Sequence, residues 1–106
     1  MTKIFISLPM NGKTNEAIHD RIEELSKYVL KVVPRPLSIT TGFDIDDSSE
    51  QHTRLWYLGR AIQQLSNADM VLFDKDWNTA KGCIIEHEVC VLYHIPILYE
   101  TELDAS

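Results

Sequence analysis

Glu86 stands out among the residues that can do chemistry. It lies in Lys81-Gly82-Cys83-Ile84-Ile85-Glu86-His87-Glu88-Val89-Cys90-Val91-Leu92-Tyr93, a stretch dominated by apolar side chains. At about 100° per residue on a helix, Leu92, Ile85, Val89, Tyr93, Cys90 and Cys83 span one arc of about half the circle. Glu86 falls near the middle of that arc, and His87 and Glu88 fall outside it. A carboxylate among apolar neighbours is costly unless it is paired, protonated or facing a pocket. Sites that perturb a carboxyl in this way are enriched in function. The structural alternative is an ion pair with Arg54, Arg60 or a partner subunit.

Three other groups have suggestive chemistry. Pro9-Met10-Asn11-Gly12-Lys13 precedes a predicted helix N-terminus, where free amides and the helix dipole favour an anion. Neither GxGxxG nor a Walker A pattern is present, so an ordinary β-α turn is the competing reading. Trp77, in Asp76-Trp77-Asn78-Thr79, either stacks on a planar ligand or plugs the edge of the core. Asp44, Asp46, Asp47 and His52 have no EF-hand spacing and read as a solvated acidic loop. Glu86-His87-Glu88 is not HExxH, and His19, His52 and His94 have no zinc spacing, so no metal is implied. Cys83 with His87 at i+4 lacks a third group to orient a nucleophilic pair. Cys83 and Cys90 are seven residues apart, about 10 Å along a helix axis and too far for a bridge. Free thiols point to a reducing compartment.

The elements that must position these residues alternate. Lys3 to Ser7 reads as a strand. Thr14 or Asn15 caps a helix whose stripe is Ile18, Ile22, Leu25, Val29 and Val32, and Pro34 and Pro36 end it. Leu37 to Ile39 is a weak second strand, and residues 41–53 are acidic and Ser-rich. A helix from Thr53 to Ser66 carries Leu55, Leu58, Ile62 and Leu65 on one face. Asp69 to Phe73 is a strand, Asp74 to Lys81 a loop, Cys83 to Tyr93 a helix and Ile95 to Tyr99 a last strand. The order β-α-β-α-β-α-β predicts one flavodoxin-like (Rossmann-like) α/β domain over residues 1–106. Its parallel sheet would have four or five strands, with helices on both faces. Ligands of such sheets bind at the carboxyl ends of the strands, near the switch in strand order. The loops after the first and third strands therefore become the candidate site.

Composition limits the partners. The 106 residues carry a formal net charge of −6, and 44% are hydrophobic, as in a globular domain. Seven of the acids lie between Asp44 and Glu50 or in the tail from Glu100, which leaves the rest nearly neutral. Duplex nucleic acid and an anionic membrane are thereby disfavoured. No apolar run approaches the roughly 18 residues of a membrane span, and the N-terminus lacks a signal-peptide pattern, so a cytoplasmic location is expected. Ile84, Val91, Trp56 and Tyr57 add apolar surface beyond one core-facing stripe per helix, which predicts a homodimer or larger assembly.

Phe5-Ile6-Ser7-Leu8-Pro9-Met10-Asn11-Gly12-Lys13-Thr14, Leu55-Trp56-Tyr57-Leu58-Gly59, Ala68-Asp69, Trp77 and Lys81-Gly82-Cys83-Ile84-Ile85-Glu86-His87 occur in this order. Together they resemble the nucleoside 2-deoxyribosyltransferase-like superfamily, and most of all its small branch of largely uncharacterised bacterial and phage proteins. The resemblance covers nearly the whole chain outside residues 33–53. It implies a flavodoxin-like fold and a site at the strand ends, often completed by a neighbouring subunit. In characterised members a Glu four residues after a Gly attacks the anomeric carbon, and Gly82 to Glu86 has that spacing. Where those enzymes carry acidic helpers this chain has Ala61 and Ala80. It also has Leu8 where Gly is usual and Phe5 where Tyr is common.

The resemblance implies a nucleoside or nucleotide N-glycosidic-bond hydrolase or 2-deoxyribosyl transferase with Glu86 as nucleophile. Ser7, Pro9, Met10, Asn11, Gly12 and Gly82 would line the sugar or 5′-phosphate site, and Trp77 and Phe5 would flank the base. Asp74, Asp76 or His87 would supply a proton. No metal or organic cofactor is implied. The alternative is a non-catalytic nucleotide-binding or sensing module of the same fold, which the missing acids favour. A response-regulator-like domain fits less well, because Phe5-Ile6-Ser7 lacks an acidic pair.

Overall fold

In a computed structural model, which describes residues 1–44 and 53–101, four strands and three helices alternate along the chain. Strand β1 spans Thr2–Ser7, β2 Leu37–Thr41, β3 Met70–Phe73 and β4 Ile97–Tyr99. Helix α1 spans Asn15–Val32, α2 Arg54–Leu65 and α3 Lys81–Leu92. The strands form one sheet of order β2-β1-β3-β4, and every neighbouring pair is parallel. The chain leaves β1 toward β2 on one side and returns to β3 on the other, so the switch point lies between β1 and β3. This is the predicted flavodoxin-like α/β architecture, with four strands. Asp46, Asp47, Glu50 and His52 of the predicted acidic loop lie outside the described residues.

The sheet is sandwiched because its central strands are apolar on both faces. Ile4, Ile6 and Leu72 pack against Ile18, Leu25 and Val29 of α1. Phe5, Val71 and Phe73 pack on the opposite face with Ala61 and Leu65 of α2 and Cys90 of α3. Asp69 sets the lower end of the β1–β3 pairing. Its carboxylate accepts from the Lys3 amide at 2.7 Å, and its own amide donates to the Lys3 carbonyl.

Helices α1 and α2 begin at threonine caps. Thr14 accepts from the Ala17 amide and Thr53 from the Trp56 amide. Helix α3 ends differently: His94 adopts φ 58° and the Ile95 amide donates to the Cys90 carbonyl, closing a Schellman-type turn.

Three predicted faces shift. Val32 is exposed and Val33 buried in its place, because the chain has already left the helix at Val33 (φ −115°, ψ 129°). Leu55 is 76% exposed, since the first turn of α2 stands outside the core and the small Ala61 makes the close contact instead. On α3 the buried residues are Cys83, Glu86 and Cys90, whereas Ile85, Leu92 and Tyr93 are exposed. An element apolar nearly all round has no periodicity to choose its inner face. The side chosen here carries two small thiols, of which Cys90 packs into the core against the sheet.

Candidate functional site

The carboxyl ends of β1 and β3 are adjacent, with Ser7 paired in register to Phe73. The Asp74 amide donates to the Ser7 carbonyl, so the loops that follow the two strands diverge from one point. One loop leads to α1 and the other to α3 on the opposite face, the topology that places a ligand crevice at the switch point of such sheets.

Helix α3 brings Glu86 to this point. It begins at Lys81, two residues earlier than predicted, so Glu86 occupies its second turn. Glu86 is 7% exposed. Its Oε1 accepts a 2.6 Å hydrogen bond from the Ser7 hydroxyl at the end of β1. It has no ion pair among the described residues; neither Arg54 nor Arg60 reaches it. Burial pushes its carboxyl up to about 7, and the Ser7 hydrogen bond pulls the other way.

The surrounding thiols deepen the apolar setting. Cys83 and Cys90 are both free and buried, one turn before and one turn after Glu86. Burial pushes Cys83 up to about 11 against a lowering hydrogen bond with Ser7, and burial together with the Glu86 charge pushes Cys90 up to about 11. Neither is an activated nucleophile.

The remaining candidates divide between the crevice rim and the core. Met10, Asn11, Gly12 and Lys13 form a turn closed by the Lys13 amide on the Met10 carbonyl. Gly12 has φ 80° at the third position, as a type II turn requires. Asn11 and Gly12 are exposed, Met10 is half-buried and Pro9 is buried. Gly82 is half-buried in the first turn of α3, with room for a Cβ 3.9 Å from Leu58. Phe5 is 1% exposed within the α2–α3 core, so it supports the site from below and offers a ligand no free face.

Trp77 sits in a 3-10 turn, Trp77–Thr79, against Phe73. Its ring stacks on His87 at 4.0 Å with an interplanar angle of 14°, and His87 also contacts the Tyr99 hydroxyl. His87 is half-buried beside this aromatic group and lies off the buried Cys83, Glu86 and Cys90 face, outside the arc as predicted.

Asp74 is buried as well, but it is compensated: Arg21 Nε donates to Oδ2 at 2.8 Å and the Asp76 amide to Oδ1 at 2.7 Å. Arg21, on α1, was not among the predicted site residues. The signal available in the sequence is an acid directly after each of two adjacent strands, Asp74 and Glu100, which together call for a cation.

A groove of about 270 Å³ lies at the other end of the strands, lined by Lys3, Ser38, Thr40, Gln64, Asn67 and Ala68. It has no titratable group except Lys3 and is remote from Glu86, so the switch-point crevice remains the candidate site. Among the described residues no cluster of three or more His, Cys, Asp or Glu side chains is arranged to hold a metal. No helix among them is long and apolar enough to cross a membrane.

No protein-family model matches the chain, and no curated protein does. The fold is similar to that in the crystal structure of a conserved protein from Enterococcus faecalis V583. The TM-score is 0.66 at 16% identity, over 93% of this chain and 62% of that one. At that identity the likeness shows the fold alone, and the chain spans less than two thirds of that protein's length.

Proposed function

We propose that the crevice between β1 and β3 binds a nucleoside or nucleotide and that Glu86 cleaves its N-glycosidic bond. The observation that carries the reading is a buried carboxyl at the switch point, held among the described residues by one hydroxyl and no cation, with its protonation poised near neutrality. The resemblance to the nucleoside 2-deoxyribosyltransferase-like superfamily supplies the reaction class. An oxygen of the Glu86 carboxylate forms a bond to the anomeric carbon as the carbon–nitrogen bond breaks. The base leaves with the electron pair and takes up a proton. Water then attacks the glycosyl ester, giving hydrolysis, or a second base attacks it, giving transfer. Ser7 orients the carboxylate, and the Met10–Lys13 turn lies where a sugar or 5′-phosphate would approach.

The test is incubation of the protein with a panel of nucleosides and nucleotides, with free base as the readout. Base release should rise with pH through about 7, as Glu86 becomes the carboxylate the attack requires, and should vanish in Glu86→Gln. Binding without release by either protein would favour the second reading, a nucleotide-binding or sensing module. Ala61 and Ala80 support that second reading, since they stand where acidic helpers are expected.

The same proposal includes self-association and a cytoplasmic setting. The outer face of α3 exposes Ile84, Ile85, Val91 and Leu92, and α2 exposes Leu55. Such a face fits burial against a second copy. Two free thiols fit a reducing compartment.

A further inference from the structure

Arg21 takes no part in the chemistry just described, yet it joins three segments around the crevice. Its Nε donates to Asp74 Oδ2 at 2.8 Å, and its Nη2 donates to Glu100 Oε1. A longer, exposed contact of 3.4 Å reaches Glu24 within α1. Each of the two acids, Asp74 buried and Glu100 half-buried, has a second role. Asp74 Oδ1 accepts from the Asp76 amide, and Glu100 Oε1 accepts from the Lys75 amide at 3.0 Å. The Trp77 amide donates to the Asp74 carbonyl, and the Asp74 amide to Ser7.

The topology forces this meeting. Phe73 and Tyr99 are paired in register on neighbouring parallel strands, so the acids that follow them emerge side by side. Two adjacent carboxylates with little exposure repel unless a cation lies between them. A guanidinium can serve both at once through its planar fork, whereas an ammonium is a single point charge.

We propose that Arg21 is the positioning residue of this site. By gripping Asp74 and Glu100 together it fixes the Lys75–Trp77 segment beside the crevice and ties that segment to Ser7, the partner of Glu86. The proposal rests on the reading that the switch-point crevice is the functional site. Its test needs no substrate, so the two can fail separately.

The experiment is residue-resolved amide hydrogen exchange by NMR on the full chain, comparing wild type with Arg21→Ala, Arg21→Lys and the control Lys27→Ala. In Arg21→Ala, protection at Lys75, Asp76 and Trp77 should fall at least about tenfold more than at Ile6 and Val71 in the sheet. Arg21→Lys should give an intermediate loss, and Lys27→Ala none. In a Trp56→Phe background, Trp77 emission should move to the red in Arg21→Ala as its packing on His87 loosens. If Arg21→Ala does not fold, Glu100→Ala should still lower protection at Lys75 while sparing Asp76. Equal loss across loop and sheet would make Arg21 a general stabiliser and overturn the proposal. Unchanged loop protection would overturn it too. Intact loop control with no base release from any nucleoside would instead count against the Glu86 chemistry.

Discussion

Glu86→Gln isolates the energetic burden of the buried carboxyl. Burial raises Glu86 from its ordinary 4.5 to about 7. Between those values the folded chain binds a proton that the unfolded chain does not. Stability therefore falls as pH rises from about 4.5 to about 7, and above 7 the full penalty is present. At about 1.4 kcal/mol per unit, this penalty is about 3 kcal/mol. Gln removes it and keeps an oxygen for Ser7, but leaves a buried NH2 group without a partner, at a cost of about 1–2 kcal/mol. At pH 8 the variant should be more stable than wild type by about 1–2 kcal/mol, a rise in Tm of about 4–16 °C for a domain of this size. At pH 5, where the wild-type carboxyl is neutral, the advantage should disappear or reverse slightly.

Urea unfolding of both proteins at pH 5, 6, 7 and 8 gives the comparison. The wild-type-minus-variant difference cancels every other titrating group, so its pH dependence belongs to Glu86 and the groups coupled to it. A difference that does not change with pH would refute the reasoning, because a carboxyl that titrates normally carries no penalty. A variant destabilised by about 3–5 kcal/mol at pH 8 would mean that Glu86 is one half of a buried ion pair.

Ser7→Ala should raise the Glu86 titration midpoint further, since it removes a donor that favours the charged form; the side-chain carboxyl resonance of labelled Glu86 reports it, and an unchanged or lower midpoint would contradict the Ser7 contact. His94→Gly should stabilise the chain by about 0.5–1 kcal/mol, because a left-handed backbone costs an L side chain but not glycine; thermal melts measure this, and destabilisation would show that the His94 side chain contributes more than its backbone costs. Light scattering should give a particle of at least twice 12.2 kDa, and Ile84→Glu with Val91→Glu should return it to the monomer mass. A wild-type monomer at micromolar concentration would exclude self-association through α3.

Legibility from sequence followed how strongly each element's pattern constrains its surroundings. Strand β1 was legible because Ile4, Phe5 and Ile6 are buried on both faces, as a central parallel strand demands. The stripe of α1 was legible because one face alone is apolar, up to the point where Val33 leaves the helix. Helix α3 was legible as a helix but not in orientation, for Ile84, Ile85, Val89, Val91 and Leu92 surround its axis. Glu86 was conspicuous as a carboxyl in that setting, but its partner was not. Ser7 lies 79 residues away and meets it only because α3 crosses back over the end of β1. The Arg21 contacts were equally hidden, since the pairing of β3 with β4 decides that Asp74 and Glu100 are neighbours.

Glu86 and Asp74 set the terms for chemistry at this end of the sheet. Both are buried carboxyls close to Ser7, and a sheet covered on both faces leaves polar groups few places other than its strand ends. Asp74 is satisfied by a guanidinium and a main-chain amide, so its charge is compensated without a ligand. Among the described residues Glu86 has one hydroxyl, two neighbouring thiols and no cation. A neutral side chain in its place should relieve the fold, which is why we propose a role for Glu86 in chemistry and not in stability. In the proposed function two carboxyls in unlike environments divide the labour: the paired one fixes the loop, and Glu86 gains or loses a proton, or forms a bond.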